Sequence, residues 1–271
     1  MPMNDHSQDA IGVFDSGLGG LTVVKELNHH LPNERIVYFG DTARVPYGTK
    51  SAETIIRYSR EIVRVLLKQK VKMVVVACNT ASSLALDVLK KEFDLPILGV
   101  IEPGAKKATE VTRNKRVGII ATSSTIKSGK YAKRIVQLNN KIVVYSQSCP
   151  LFVPLVEEGW FDHAVTYEVA QEYLSDMKKK KIDTLILGCT HYPLLKQVLH
   201  NVMGTKVQLV DSAQEVALQV KGLLAQKRLL RTRLGPCQHL FIVSDEPKQF
   251  QRLAMQFLGG GVKHVRRHIY V

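Results

Sequence analysis

Two of the four cysteines lie where an apolar strand pattern gives way to a helical one. Cys78 ends the run VKMVVVAC and Cys189 ends the run IDTLILGC, and polar residues follow both. A helix N-terminus lowers the pKa of a nearby thiol, so this position favours a reactive thiolate that can exchange protons. The alternative is that each is a small buried core residue, which is the commoner fate of an isolated cysteine. We assign that alternative to Cys149 and Cys237.

A repeat in the sequence relates the first two cysteines. The matching segments are VKMVVVACNT with IDTLILGCTH, and IGVFDSGLGG with VGIIATSST. The offsets are 111 and 106 residues, so Cys78 and Cys189 occupy equivalent positions. Two matches in the same order at nearly equal offsets indicate a duplicated unit. We therefore predict two similar α/β units that face each other, with chemistry between them at the two thiols.

The glycine-rich loop DSGLGG, residues 15–20, follows a strand pattern and precedes a helical one. Glycines allow backbone N–H groups to approach a ligand, and a helix N-terminus favours an anion. The glycine spacing fits neither a dinucleotide fingerprint nor a P-loop, so a smaller anion such as a carboxylate fits better. Asp15 either acts on that ligand or caps the next helix, and the loop sequence leaves both interpretations open.

Four other residues are candidates by position or type. Tyr47 and Gly48, in DTARVPYG, either form a turn or supply a hydroxyl group and a backbone N–H to the same cavity. His191 lies two residues after Cys189, where an imidazole can accept or donate a proton beside the thiol. Glu157, in PLVEEGW, has no spacing that supports a role by itself.

The elements that position these residues alternate between strands and helices along the chain. Strand patterns cover residues 11–14, 35–40, 72–78, 96–100, 116–122, 141–146, 184–189, 206–211 and 239–244. Apolar residues at helical spacing mark helices near residues 53–70 and before the lysine run 178–181. Continuously apolar strands separated by helices predict parallel sheets covered on both faces, in the doubly wound α/β class.

Length and composition are those of a globular protein, most simply of two domains. The chain has 271 residues, of which 45% are apolar and 23% are charged. The longest apolar runs fall far short of the roughly 18–20 residues that span a membrane, and the first ten residues carry no secretory signal. We therefore expect a cytoplasmic protein with no membrane partner. Four widely scattered cysteines predict free thiols rather than a disulfide scaffold or a zinc site.

The charge balance is the unusual feature of the composition. The 38 basic and 24 acidic residues give a formal net charge of +14, which suggests attraction to nucleic acid or another polyanion. However, Lys178–Lys181 is the only long basic run, and it ends a helical pattern, where cations complement the helix dipole. Polyanion binding therefore remains an alternative function that rests on charge alone, with nucleic acid a disfavoured or non-specific partner.

Five motifs follow one another along the chain: GVFDSGLGGLTV, GDTARVPYG, ACNTASS, GVIEPG and LGCTHYPLL. Together they resemble the motifs of the glutamate racemases, in the aspartate/glutamate racemase superfamily, and the resemblance extends over most of the chain, from Ile11 to Asp211. The resemblance implies a cofactor-independent isomerase that makes D-glutamate for bacterial peptidoglycan, and hence for cell wall and cell shape. It implies glutamate as the substrate, with no pyridoxal phosphate, metal or nucleotide. A racemase of aspartate or another acidic amino acid is the nearest alternative.

In the family that these motifs resemble, two cysteines do the acid/base work, and they match Cys78 and Cys189. Racemisation removes the α-proton from one face of the substrate and returns a proton to the other face, so one cysteine must be a thiolate and the other a thiol. The residues that match positions assisting proton transfer are Asp15, Glu157 and His191. The substrate contacts that carry over are Asp15, Ser16, Tyr47, Gly48, Asn79, Thr80, Thr190 and His191.

The resemblance also implies how the domains are arranged. We expect two flavodoxin-like domains related by a pseudo-two-fold axis, with the active site in the cleft between them. The first domain combines residues 1–97 with 211–271, and the second comprises residues 98–210. The basic tail HVRRHIYV and the segment after Gly235 match no motif. The oligomeric state stays open, with a homodimer as one option.

Overall fold

Runs of β-branched and aliphatic residues form the strands, because helices cover both faces of each sheet. The computed structural model describes residues 6–233, 235, 237–260 and 262–270. Within these residues the strands are β1 (Ala10–Asp15), β2 (Ile36–Gly40), β3 (Val71–Val76), β4 (Ile97–Gly99), β5 (Arg116–Ala121), β6 (Val143–Ser148), β7 (Thr184–Gly188), β8 (Gln208–Asp211), β9 (Leu240–Val243) and β10 (Val265–Arg267).

The helices occupy most of the connections between successive strands. In the same described ranges they are α1 (Leu21–His30), α2 (Ala52–Leu67), α3 (Asn79–Leu84), α4 (Leu86–Glu92), α5 (Ile101–Val111), α6 (Ser123–Ser128), α7 (Lys130–Leu138), α8 (Phe152–Glu157), α9 (Ala164–Lys179), α10 (Lys196–Met203), α11 (Ser212–Gln226) and α12 (Pro247–Leu258). None of the helices described here combines the length and the apolar character needed to cross a membrane.

The described strands form two parallel sheets. The first has the order β10-β9-β2-β1-β3-β4, and the second has the order β6-β5-β7-β8. Val13 of β1 lies beside Val75 of β3, and Ile119 of β5 lies beside Ile186 of β7. The pair β1 and β3 in the first sheet thus corresponds to the pair β5 and β7 in the second, as the sequence repeat predicts. The α/β fold class is confirmed.

Helix α2 shows how a sequence pattern becomes part of the core. Ser51 precedes its first turn and accepts a hydrogen bond from the backbone N–H of Thr54 at 3.2 Å, which satisfies one of the unpaired donors of the helix start. Ile55, Ile62 and Leu66 recur at helical spacing, and all three are fully buried. Burial of each such side chain contributes about 1.5–3 kcal/mol. The helix predicted near residues 53–70 is confirmed, with its last residue at Leu67.

The C-terminal segment returns to the first sheet. Strand β9 pairs with β2, and β10 pairs with β9 at the edge of that sheet. Strand β10 was not predicted from the sequence, because it contains no apolar run. Two of its three residues, Arg266 and Arg267, are exposed. The domain boundaries at residues 97–98 and 210–211 stay a prediction.

Candidate active site

A cavity lies where the carboxyl ends of strands from both sheets meet. Its volume is about 30 Å³, which is room for about two water molecules. Its walls are formed by Ser16, Val45, Pro46, Tyr47, Gly48, Cys78, Asn79, Thr80, Thr122, Val153, Glu157, Cys189, Thr190 and His191. Two larger cavities, of about 390 and 600 Å³, lie around His239 and are lined by neither Cys78 nor Cys189. Because parallel α/β sheets bind ligands at the carboxyl ends of their strands, the small cavity is the candidate site.

Cys78 follows β3 and immediately precedes α3. Burial, together with repulsion of the thiolate by the carboxylate of Asp15, raises the pKa of its thiol to about 12. The expectation that a helix start lowers this pKa is therefore wrong. Helix α3 has only six residues, and desolvation outweighs its favourable field. Cys78 is consequently held as a thiol at neutral pH.

Cys189 follows β7, but no α-helix begins beside it. Residues Tyr192–Leu195 form a 3₁₀ turn, and α10 begins only at Lys196. The partner of the thiol is instead a side chain, because Sγ of Cys189 lies 3.8 Å from Nδ1 of His191. The electrostatics of this thiol therefore come from an imidazole rather than from the predicted helix start.

The imidazole of His191 connects Cys189 to Glu157. Its Nε2 atom lies 3.2 Å from Oε1 of Glu157, while its Nδ1 atom faces the thiol. Burial opposes the charged ring, but the contacts with Cys189 and Glu157 outweigh it and raise the pKa of His191 to about 10. The ring is therefore an imidazolium at neutral pH. A positive charge beside a cysteine stabilises its thiolate, so this arrangement can hold a base ready.

Asp15 is fully buried and lies behind the residues that line the cavity. Its carboxylate accepts a hydrogen bond from the backbone N–H of Gly17 at 3.0 Å and one from the hydroxyl of Thr190 at 3.3 Å. Desolvation raises the pKa of Asp15, and the positive charge of His191 opposes that rise. The residue thus shapes its own loop and also reaches the segment after β7. Its part in proton transfer stays a prediction.

The glycine-rich loop, residues 15–20, lies close to the residues that follow Cys189. A Cβ atom on Gly19 would lie 2.2 Å from Oγ1 of Thr190 and 2.7 Å from Nδ1 of His191. Such distances are far below van der Waals contact, so only glycine allows the two segments to pack here. The requirement for glycine at this position is therefore explained by close packing around the site.

Tyr47 and Gly48 lie in the cavity wall, as predicted, and both have further contacts. The hydroxyl of Tyr47 donates to a carboxylate oxygen of Asp41, and burial raises the pKa of that phenol well above its usual value. A Cβ atom on Gly48 would lie 2.7 Å from Cβ of Thr122, which belongs to the second sheet's side of the cavity. The loop that carries both residues therefore closes directly against that side.

The remaining predicted contact residues also line the cavity. The hydroxyl groups of Thr80 and Thr122 lie 2.9 Å apart, so the two sides of the cavity are joined by a hydrogen bond. Asn79 accepts a hydrogen bond from the hydroxyl of Tyr131 at 2.7 Å through Oδ1. Ser16 contributes a side-chain hydrogen bond that stabilises the thiolate form of Cys78.

Thr122 is a lining residue that the sequence prediction missed. The repeat contains the signal that would have found it, because its offset of 106 residues matches Thr122 with Ser16. Val153, on α8, was also missed, and no pattern around it indicates a role. Cys149 and Cys237 lie outside the cavity lining, and all four cysteines are free thiols. No cluster of three metal-ligating side chains occurs among the residues whose placement is described.

Comparison with known proteins identifies the family. The sequence model of the Asp/Glu/hydantoin racemases matches residues 11–220. The chain belongs to this family. A glutamate racemase of Geobacter metallireducens is 53% identical over 251 residues, which are 93% of each chain. A glutamate racemase of Syntrophus aciditrophicus is 48% identical over 267 residues, covering 98% of this chain and 99% of that one.

Solved structures extend the family relationship to the whole fold. The crystal structure of a glutamate racemase isoform from Bacillus anthracis superposes with a TM-score of 0.94 at 38% identity, covering 97% of this chain and 98% of that one. A glutamate racemase from Francisella tularensis, crystallised with D-glutamate, gives a TM-score of 0.90 at 40% identity with the same coverage. The resemblance drawn from the five motifs is confirmed, and this member of the racemase family is an isomerase.

Proposed function

We propose that this racemase-family chain interconverts L- and D-glutamate by proton exchange at the α-carbon, with Cys78 and Cys189 as the acid/base pair. The observation that carries the proposal is that both thiols line one cavity from equivalent strand ends of the two sheets. Glutamate as the substrate is supported by the relatives, which are glutamate racemases, one of them crystallised with D-glutamate.

The proposed reaction needs two groups and no cofactor. One thiolate takes the α-proton and forms an S–H bond, while the electron pair of the broken C–H bond passes into the α-carboxylate. The other thiol then donates its proton to the opposite face of the carbon and becomes a thiolate. Because Cys78 has a pKa of about 12 and Cys189 faces an imidazolium, we assign the resting base to Cys189 and the resting acid to Cys78.

The cavity offers several donors for the two carboxylates of glutamate. The hydroxyl groups of Ser16, Thr80, Thr122 and Thr190 all belong to lining residues. Donors held in place before the reaction stabilise the negative charge that develops as the proton leaves. The hydroxyls of Thr80 and Thr122 now bond each other, and we propose that they turn to a carboxylate when substrate enters. A volume of about 30 Å³ is too small for an amino acid, so the walls must separate on binding.

Isotope exchange with matched cysteine variants tests this function. In deuterated water, L-glutamate should yield D-glutamate that carries deuterium, while the L-glutamate recovered early stays unlabelled, because the proton returned comes from the opposite thiol. Cys78→Ala and Cys189→Ala should each abolish racemisation in both directions, and Cys149→Ala and Cys237→Ala serve as controls that keep it. Early deuterium in both enantiomers indicates a single shared base and would overturn the two-thiol mechanism.

Three finer points belong to the same proposal. Aspartate is the nearest alternative substrate, and comparing kcat/KM for the two amino acids decides between them. We also propose that the product serves peptidoglycan synthesis in the cytoplasm, which predicts that the gene restores growth of a bacterium dependent on added D-glutamate. Support comes from an Escherichia coli glutamate racemase, 28% identical, that was crystallised with L-glutamate and the activator UDP-MurNAc-ala. A homodimer stays a prediction that light scattering can test.

A further inference from the structure

The C-terminal tail, which matches no motif, reaches the loop beside the cavity through Tyr270. After β10, the backbone N–H of His268 donates to the carbonyl of Val243 at 2.7 Å, which fixes the tail along the end of β9. Ile269 points outward and is 69% exposed. Tyr270 turns inward instead, and its hydroxyl donates to Oδ1 of Asp41 at 3.0 Å.

The ring of Tyr270 also holds an arginine of that loop. The centroid of this ring lies 3.7 Å from the guanidinium carbon of Arg44, and the centroid of the Tyr58 ring lies 3.8 Å from the same atom. A guanidinium between two aromatic faces gains cation–π attraction on both sides. Nε of Arg44 in turn donates to Oδ2 of Asp41 at 2.7 Å. Tyr270 therefore acts on Asp41 both directly and through Arg44.

Asp41 gathers donors from its own loop and from two distant parts of the chain. It is fully buried, so its carboxylate depends on protein donors in place of water. Oδ1 accepts from Ser244 at 2.9 Å and from Tyr270, and Oδ2 accepts from Arg44 and from the hydroxyl of Tyr47. The donor from Tyr47 is the one that matters for the site, because Tyr47 lines the cavity.

We call residues 41–49 the cavity loop. Its C-terminal end touches the second sheet's side of the cavity. The hydroxyl of Ser124 donates to the carbonyl of Gly48 at 2.7 Å, and Gly48 packs against Thr122. The cavity loop thus runs from a carboxylate tied to the C-terminal tail to a contact that closes the cavity. The cavity loop is therefore held by hydrogen bonds at both of its ends.

We propose that Tyr270 is a positioning residue for substrate binding, which holds Asp41 and Arg44 so that Tyr47 and Gly48 stay at the cavity wall. The inference rests on the proposed glutamate racemase function and assigns to the C-terminal tail a part in it. Tyr270 makes no contact with the cavity, so its effect falls on substrate affinity rather than on proton transfer. KM is therefore the parameter that changes.

The test compares two variants of Tyr270 with a matched control. Tyr270→Phe keeps the ring on Arg44 and removes the hydrogen bond, and it should raise KM for glutamate about tenfold with kcat within about twofold. Tyr270→Leu removes both contacts and should raise KM further. Tyr167→Phe removes a similar hydroxyl, which donates to Asp162 at 2.8 Å on the protein surface, and should leave KM unchanged.

A second measurement reads the cavity loop without using activity. Amide hydrogen exchange of a peptide covering residues 41–49 should be faster in Tyr270→Phe than in the parent protein, and unchanged in Tyr167→Phe. If the parent enzyme is active and Tyr270→Phe changes neither KM nor the exchange of the cavity loop, the inference about Tyr270 is wrong. The proposed function is not affected by that result. A parent enzyme that does not racemise glutamate overturns the proposed function, whatever the loop exchange shows.

Discussion

Sγ of Cys189 and Nδ1 of His191 lie 3.8 Å apart in the interior of the protein. Cys78, at the equivalent position of the repeat, instead faces the charge of a buried carboxylate, Asp15. The backbone around the two thiols is repeated, but the charged groups named here beside them are opposite in sign. One thiol is paired with a group that stabilises its anion, and the other is held in its neutral form.

This difference predicts which thiol reacts first with an electrophile. In a Cys237→Ala background, which removes the more exposed thiol, iodoacetamide should alkylate Cys189 before Cys78 at pH 7–8. The imidazolium of His191 stabilises the thiolate that reacts, whereas Cys78, with a pKa of about 12, stays a thiol. Mass spectrometry of the digested protein gives the order of labelling. Earlier labelling of Cys78 would show that the resting acid and base are assigned the wrong way round.

Glu157→Gln should make the imidazolium form of His191 less stable and should change the pH dependence of kcat. Glu157 is one of two contacts that raise the pKa of His191 to about 10, so its loss lowers that pKa. Any step that needs the imidazolium fails as the pH rises through this pKa, and the alkaline limb of kcat should therefore move to lower pH. We expect kcat at neutral pH to fall about tenfold, which is less than the roughly 100-fold contribution at the low end for acid/base groups. The loss is smaller because solvent around the partly exposed Glu157 screens its charge.

The neighbouring glutamate supplies the control for that variant. Glu158 is exposed and lies outside the residues that line the small cavity, so Glu158→Gln should leave both kcat and the alkaline limb unchanged. Initial rates measured from pH 6 to pH 11 compare the three proteins. If the alkaline limb of the Glu157→Gln variant stays at the same pH as in the parent protein, that limb does not report the titration of His191.

Asp15→Asn should make the protein more stable and less active. Burial raises the pKa of Asp15 in the folded state, so folding is favoured by its protonated form, below its ordinary pKa of 3.8, and that advantage is lost as the pH rises. Above pH 3.8 the raised pKa therefore costs the folded protein stability relative to the unfolded chain, and asparagine removes that cost. Urea unfolding should show a higher free energy for the variant at pH 7.5 and a smaller difference at pH 4.

Activity of the same variant tests the role of the charge. The amide of the Asp15→Asn variant keeps an oxygen that can accept from Thr190 and loses the acceptor for Gly17, so the shape of the side chain is preserved while the carboxylate is lost. If Asp15 assists proton transfer at Cys78, kcat should fall by about 100-fold, the lower end of the range for acid/base groups. Unchanged kcat with increased stability would make Asp15 a purely structural residue.

Gly19→Ala should disable the site through packing alone. Its Cβ atom would lie 2.2 Å from Oγ1 of Thr190, so the segment that carries Cys189 and His191 must move. A displacement of about 1 Å costs about 100-fold in rate, and we expect kcat/KM to fall by that amount. Gly222→Ala, on α11 with open space around it, should keep full activity and gain about 1 kcal/mol of stability.

The parts of this protein that can be predicted from sequence are those determined by local pattern. Apolar runs of β-branched residues predicted the strands, and the repeat placed Cys78 and Cys189 after equivalent ones. The reason is physical, because parallel strands present their carboxyl ends at one edge of a sheet and whatever follows them meets there. The family motifs then added the candidate contact residues around those two positions.

The tertiary structure alone decided the electrostatics of the site and its link to the tail. The pKa of Cys78 depends on burial among residues from several strands, which no local pattern encodes, and the helix start suggested the wrong direction. The bond between Asp41 and Tyr270 joins residues 229 positions apart, and its tyrosine lies in a segment without apolar periodicity. Desolvation and long-range contacts arise only when the chain has folded, so these features follow from the packing of the two sheets and the return of the C-terminal segment.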